Sequence, residues 1–476
     1  MTSVKQEKLS APFWVIWGIE FWERFGYAGV FAILTAYLSD GLGMSESVST
    51  TIFASYAAFS YGLLIVGGFI GDKYLGPRKT IVVGAIVLAL SYIGMAFSTV
   101  DTIFYCLAGV IVGNALFKAN PTSLISKMFD KDSQMINVAM TLYYFAINVG
   151  AMLAMLIVPI IARHFGDFSI GFLICSMGVI IGLANFLIFY GIVRKVPSPV
   201  DDGKSSRKYI SITLIFALAA TYVVGLILSN NTLSSIVAYS VVVVGFIYFI
   251  YVAFSQESKI ARNKMFVALV LVLQAVIFFA LYFQMPTTIA LFAKHNVDRI
   301  VMGYEIPFSS FVLLNPLFIA ILTPVLMYVF KRFTSTHATK FTIGMFFCAV
   351  AFFVLYLSSA TAINGVTSPL WLVLSYAFQS AGEICVGAIG LAMITQLSPR
   401  NISGVATGVW FLASMLGGKV AGILSSLSVT SDDEARTTIE SMNIYSHNFL
   451  MIGVVVLICA IVMFLFVPKL NKVIKS

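Results

Sequence analysis

Arg194-Lys195-Val196-Pro197-Ser198-Pro199-Val200-Asp201-Asp202-Gly203-Lys204-Ser205-Ser206-Arg207-Lys208 (RKVPSPVDDGKSSRK) is a polar, basic break in an otherwise apolar chain. Six apolar runs precede it, near residues 12–39, 49–73, 79–99, 102–127, 134–162 and 168–194. Two follow directly, near 209–228 and 234–254, and six more lie near 262–295, 307–331, 339–360, 368–397, 401–427 and 446–467. Each is at least about 20 residues, the length a helix needs to cross the hydrocarbon core. Six, two and six predict two six-helix halves with an inserted helical hairpin, fourteen spans in all. The expected domains are residues 1–194, a linker and hairpin over 195–261, and 262–476.

Composition agrees. Only 10% of the 476 residues are charged and 60% are hydrophobic, whereas a soluble domain carries about 25% charge. The bilayer must be the main solvent, so the backbone has to satisfy itself as helices or as a closed barrel. A barrel would alternate over segments of about 10 residues. These runs are continuous, so the fold class is an all-α polytopic membrane protein.

The net charge of +9 would point to nucleic acid in a soluble chain. Here the basic residues sit in short loops. With the N-terminus inside, 22 of the 29 fall on the inner side and only Arg163, Lys294, Arg299 and Arg436 outside; Arg24, Lys118 and Lys419 lie within spans. That asymmetry predicts an even number of spans and two cytoplasmic termini. Cys106, Cys175, Cys348, Cys385 and Cys459 all lie in apolar runs, a pattern of buried thiols and not of disulfides or a metal site. No cleavable signal peptide is expected before the first span. His164, His295, His337 and His447 lie in loops or at span ends and are expected to be solvated. No metal cluster, nucleophile motif or phosphate loop appears, so no enzyme is expected.

Ionisable groups inside spans are costly and mark function. The first span carries Glu20, Glu23, Arg24 and Tyr27 at i, i+3, i+4 and i+7, one helical stripe. Three charges on one face cannot point at lipid; they need a polar cavity or partners on another helix. The fourth span offers Lys118, and Pro121 just beyond it should loosen the helix there. The fifth carries Thr141, Tyr144 and Asn148 on one face. The tenth helix of the twelve-helix core carries Glu383 one turn after Gln379, with no basic neighbour in its own helix. A lone carboxylate in apolar surroundings can exchange a proton near neutral pH, which makes Glu383 a proton carrier or an anchor for a cationic ligand. Lys419, towards the outer end of its span, is expected to snorkel to the surface. One half thus supplies cations and the other an anion. A zwitterion held between them would place its carboxylate on the first half and its amine on the second, the shape of a peptide or amino-acid site.

These residues resemble the proton-dependent oligopeptide transporters, a branch of the major facilitator superfamily, over nearly the whole chain. Glu20-Phe-Trp-Glu23-Arg24-Phe-Gly-Tyr27 is similar to the family's E-x-x-E-R-F signature, and Gly67 to Lys79 to the superfamily loop between helices 2 and 3. Gly113 to Lys118 resembles the fourth-helix lysine motif, and Tyr143 to Gly150 the F-Y-x-x-I-N-x-G motif. Phe278 to Pro286 and Leu314-Asn315-Pro316 resemble the seventh and eighth helices, Gln379 to Glu383 the tenth, and Trp410 the eleventh-helix tryptophan.

The resemblance implies a proton-coupled symporter that imports di- and tripeptides by alternating access in a bacterial inner membrane. Arg24 and Lys118 would receive the peptide carboxylate. Asn148, Asn315 and Glu383 would receive the amino terminus. Tyr27, Tyr61, Tyr144, Tyr282 and Trp410 would line the cavity. Glu20, Glu23, Arg24, Lys118 and Glu383 would couple proton movement. The expected partners are di- and tripeptides, protons and the lipid bilayer, with no nucleic acid, no cofactor beyond the proton gradient, and a monomeric carrier. The alternative is a facilitator of another small solute, a peptide-like drug, amine or nitrate. Ala28, Ala115 and Gly387-Ala388 depart from the family's usual tyrosine, glycine and serine-proline and reshape the pocket. The central part of the seventh core helix lacks a charge, leaving Asp298 as the substitute for a charge pair at an outer gate.

Overall fold

A computed structural model describes residues 9–129, 134–202, 206–332, 336–399, 403–428 and 437–475. Lys5, Lys8, Lys131, Lys204, Arg400 and Arg436, which enter the charge count above, lie outside the described residues.

The chain is helical almost throughout. The first half contains α1 (Ala11–Ala36), α2 (Glu46–Gly62), α3 (Leu64–Ile70), α4 (Pro77–Ala96), α5 (Ile103–Lys118), α6 (Asn120–Ser126), α7 (Gln134–Phe165), α8 (Phe168–Ile188) and the short α9 (Tyr190–Val193). Then come α10 (Ser206–Ser229) and α11 (Asn231–Phe254), the predicted hairpin. The rest is α12 (Lys259–Tyr282), α13 (Thr288–Asn296), α14 (Leu314–Arg332), α15 (His337–Leu357), α16 (Leu370–Gln396), α17 (Ser403–Ser428) and α18 (Thr438–Lys475). A two-stranded antiparallel ribbon, β1 (Ile300–Val301) with β2 (Tyr304–Glu305), interrupts the loop after α13.

Thirteen segments among the described residues are long and apolar enough to cross a membrane. The fourteenth is α1, whose 26 residues reach about 39 Å at 1.5 Å per residue and carry the three charges of its stripe. The chain is therefore a multi-pass membrane protein. Its outward positions on α10 and α11 are apolar, with Ile215, Leu218, Val244 and Tyr251 exposed. In a bilayer these are the solvated faces. Loop side chains start the helices: Asp167 accepts from Ser169 N at 2.7 Å to cap α8, and Asn230 from Leu233 N at 2.9 Å to cap α11.

Three of the expected continuous spans are broken. The fourth stops at Lys118 and restarts at Asn120, with Pro121 in the first turn of α6. Proline supplies no N–H and its ring crowds the carbonyl one turn back, so the chain tolerates Pro121 best in the first turn of a new helix. Asn120 Nδ2 donates to the Leu116 carbonyl at 2.6 Å at the break. The seventh core span, expected over 262–295, ends at Tyr282 and resumes at Thr288 beyond Pro286. The second breaks at Leu63. The last helix runs longer than expected, from Thr438 to Lys475.

Two compact units emerge. One runs to Leu34 and again over Leu63–Ser229; the other comprises Thr35–Gly62 and the chain from Asn230 onward. In the first, α4 packs on α5 and α8, α7 on α8, and α10 on α5. Leu75, Val83, Val112, Leu116 and Ala217 form one of its buried clusters. In the second, α2 packs on α17, α15 on α16 and α18, α12 on α17, and α11 on α17. Its core contains Phe278, Phe292, Phe341, Phe352, Tyr376 and Phe449.

Candidate functional site

The stripe on α1 folds into a buried charge network within the first unit. Glu20 and Glu23 are 0% and 1% exposed and Arg24 9%, so these charges must compensate one another. Arg24 grips Glu23 with two parallel bonds, Nε to Oε2 and Nη2 to Oε1, each 2.5 Å. That fork is the strongest form of ion pair available to a carboxylate. Arg24 Nε is also 3.7 Å from Glu20 Oε1, one turn back. Lys118, the last residue of α5, places Nζ 3.3 Å from the same oxygen. Two acids and two bases thus close into a formally neutral set, with Glu20 shared between both cations. The break after Lys118 ends α5 at the residue whose ammonium enters the network.

The network has further contacts. Arg24 Nη2 donates to Asn114 Oδ1 at 3.1 Å, and the guanidinium lies 4.7 Å over the Tyr27 ring. Asn114 lies within the fourth-helix motif Gly113 to Lys118, and its spacing one turn before Lys118 is the signal that joins it to the site. Tyr143 on α7 is buried beside Glu20, its hydroxyl directed at that carboxylate. Tyr144 is exposed, and Asn148 turns back on α7 to donate to the Tyr144 carbonyl at 2.8 Å. These two do not join the charge network through that bond.

The second unit holds its own buried acid. Glu383 on α16 accepts from Asn315 Nδ2 at 2.7 Å, and Asn315 opens α14 just after a short 3-10 turn, Phe308–Leu313. Ser380 completes the group: Asn315 Nδ2 lies 3.3 Å from its hydroxyl, which donates to the Asn315 carbonyl at 3.2 Å. No ion pair to Glu383 forms among the described residues. Tyr61, Phe279 and Phe283 stack as a tilted aromatic wall with ring centroids 6.0–6.5 Å apart. Tyr282 meets Phe278 at 6.3 Å and Phe283 at 5.3 Å. Trp410, 5% exposed, stands edge-on to Phe279 at 5.5 Å and Phe341 at 6.4 Å.

Three expectations need correction. Lys419 does not snorkel: it is 5% exposed and donates to Ser55 and Ser234. Asp298 pairs with no cation among the described residues; its carboxylate accepts from Ile300 N at 3.0 Å. The paired charge of this region is Lys294 on α13, 2.8 Å from both Asp40 and Glu46. His295 is not merely solvated, since its Nε2 lies 2.8 and 2.9 Å from the two oxygens of Glu46. No group of three or more metal-ligating side chains occurs among the described residues.

Comparison with known proteins places these features. The sequence pattern of the POT family matches residues 78–440. Dipeptide and tripeptide permease A of Proteus mirabilis is 39% identical over 99% of this chain and 97% of its own. Its namesake from Escherichia coli is 37% identical over 99% and 94%. Among solved structures, a bacterial homologue of the human drug peptide transporters PepT1 and PepT2 superimposes with a TM-score of 0.86 at 29% identity, covering 97% of this chain and 99% of that one. A peptide transporter, POT, in complex with sulfate gives 0.86 at 25% identity, covering 100% and 98%.

Proposed function

Because the chain belongs to the POT family, we propose that it is a proton-coupled symporter that imports di- and tripeptides across a bacterial inner membrane by alternating access, with both termini cytoplasmic. It performs no chemistry on its substrate and needs no cofactor; the proton gradient drives it, and it works as a monomer. The observation that carries this reading is the closed set of Glu20, Glu23, Arg24 and Lys118, buried in a membrane helix pair at the cost of desolvating four charges.

In this reading Arg24 and Lys118 receive the peptide carboxylate, and Glu383 with Asn315 and Asn148 receives its amino terminus. Tyr27, Tyr61, Tyr144, Tyr282 and Trp410 line the side-chain pockets. A proton on Glu20 releases Lys118 from its only carboxylate partner among the described residues, and one on Glu23 weakens the fork to Arg24. Freed cations take the substrate carboxylate. Such a step drives transport only by favouring one of two states of the carrier.

The test is uptake of labelled dialanine by purified protein in liposomes under an inward proton gradient. Accumulation that collapses with a protonophore and is blocked by di- and tripeptides, but not by free alanine, is expected. No uptake by folded, oriented protein would overturn the peptide assignment.

A further inference from the structure

Lys419 is a buried titratable group that the network around Glu20 and the acid at Glu383 leave unused. It sits on α17 where that helix meets α2 and the inserted helix α11. Gly418 makes the seam close: a Cβ there would lie 3.1 Å from Ala58 N and 3.2 Å from the Ala54 carbonyl of α2. Lys419 Nζ is 2.8 Å from Ser55 Oγ on α2 and 2.7 Å from Ser234 Oγ on α11. All three side chains are buried, the serines at 4% and 0% exposure.

No carboxylate among the described residues compensates it. α17 has no other charged residue among those described. α2 carries Glu46, nine residues before Ser55 and already held by Lys294 and His295. α11 offers only the tyrosines 239, 248 and 251. α12 has Lys259, Arg262 and Lys264 in its first two turns, and α16 has Glu383, bonded to Asn315. α18 begins with Glu440, bonded to Thr437, and further carries His447 and its terminal lysines. The remaining titratable groups of these helices are tyrosines and cysteines. An ammonium needs acceptors and a counter-charge, and two hydroxyls supply only the first. A neutral amine fits them fully, accepting one O–H and donating to the other oxygen.

We propose that Lys419 is a further proton-binding site of the carrier, and that proton uptake there loosens the seam of α17, α2 and α11. The seam as it stands suits the neutral amine. A charged one favours a wetter, looser arrangement, so the proton and the packing are linked. The coupling role rests on the symporter reading; the proton site does not.

The experiment compares the pH dependence of the melting temperature of full-length wild type with Lys419→Met and Lys419→Gln. A fold that holds the amine neutral binds one proton fewer than the unfolded chain below the ordinary lysine value of about 10.4, so wild type gains stability as pH rises towards it. Both variants should lose that gain, and their dialanine uptake should vary less with pH than wild type by about threefold or more across pH ~6 to ~9. Lys419→Gln can still bond both serines, so it serves if Lys419→Met does not fold. Equal slopes of melting temperature against pH in wild type and variants would overturn the site. A lysine that only fastens the helices gives that result, with the variants merely less stable at every pH. No dialanine uptake by wild type would strike the symporter reading while leaving the melting comparison readable.

Discussion

Arg78 reaches 123 residues along the chain to Asp201, its Nε 3.1 Å from the Oδ2 carboxylate oxygen, with the two side chains 0% and 1% exposed. The same carboxylate accepts from the backbone N–H groups of Arg78 and Lys79, each at 3.2 Å. Asp201 is thus the cap of α4, supplied by the linker after the sixth span instead of by the residues that precede the helix. Its negative charge also suits the positive end of the α4 dipole. Gly76, at φ 87°, makes room: a Cβ there would lie 2.3 Å from the Asp201 carboxylate. Arg78 further donates to Asp202 at 3.0 Å and to the Arg194 carbonyl at 2.9 Å. The superfamily-like loop between α3 and α4 is thus tied to the first part of the polar break, Arg194 to Asp202.

Asp201→Ala should therefore be severe. It removes two backbone bonds and leaves a guanidinium with no exposed surface facing a lost partner. Breaking a buried pair from one side costs about 3–5 kcal/mol. Thermal melting of the purified variant checks this; a melting temperature equal to wild type would refute the cap.

Gly67→Ala tests a different contact. The added Cβ would sit 1.7 Å from the Ala115 carbonyl oxygen, where α3 crosses α5. The neighbour is backbone, so only a shift of whole helices relieves the clash, at about 3 kcal/mol. The crossing carries Asn114 and Lys118 at its edge, so dialanine affinity should weaken along with stability. Unchanged melting and unchanged KM together would sink this prediction.

How much of this was legible beforehand follows from what each residue signals. The spans were legible, since lipid demands long apolar runs, and so was the α1 stripe, because 20, 23, 24 and 27 share one face at helical spacing. The pairing of Lys118 with Glu20 was legible in type: a cation in mid-membrane needs a carboxylate. Asn315 beside Glu383 came only through resemblance. The partners of Lys419 and Arg78 were hidden, because Ser55, Ser234 and Asp201 are ordinary residues whose role comes from contacts made far along the chain. The break after Tyr282 was also missed. Pro286 signals it, but the apolar run through residue 295 masks where the helix stops.

Lys294→Met probes the cluster on α13. Burial alone would lower the ammonium's pKa, but the Glu46 and Asp40 carboxylates outweigh it and raise it. A raised folded value means the stabilisation is complete below the ordinary lysine pKa of about 10.4 and vanishes as pH rises through the folded one. With the side chain 25% exposed, its worth is on the order of 1 kcal/mol. The variant should melt below wild type at neutral pH, and the gap should close at strongly alkaline pH. A gap independent of pH would show that packing, not charge, is lost.

Glu383→Gln and Lys118→Ala separate the two halves of the proposed coupling. Glutamine keeps the shape that Asn315 Nδ2 meets at 2.7 Å but cannot carry a proton or neutralise an amine, so concentrative uptake should vanish while the fold melts as wild type does. Lys118→Ala removes one of the two cations that share Glu20. A Glu20 answering to Arg24 alone no longer trades its proton for a freed lysine. Accumulation driven by the gradient should fall by about tenfold or more, equivalent to ~1.4 kcal/mol of lost coupling, and the residual flux should no longer depend on pH. The pair discriminates because the two failures differ in kind. Loss of the acid removes recognition of the amine, so exchange of labelled for unlabelled peptide stops as well. Loss of the lysine uncouples, so exchange persists where accumulation does not. Wild-type accumulation by either variant would remove that residue from the coupling scheme.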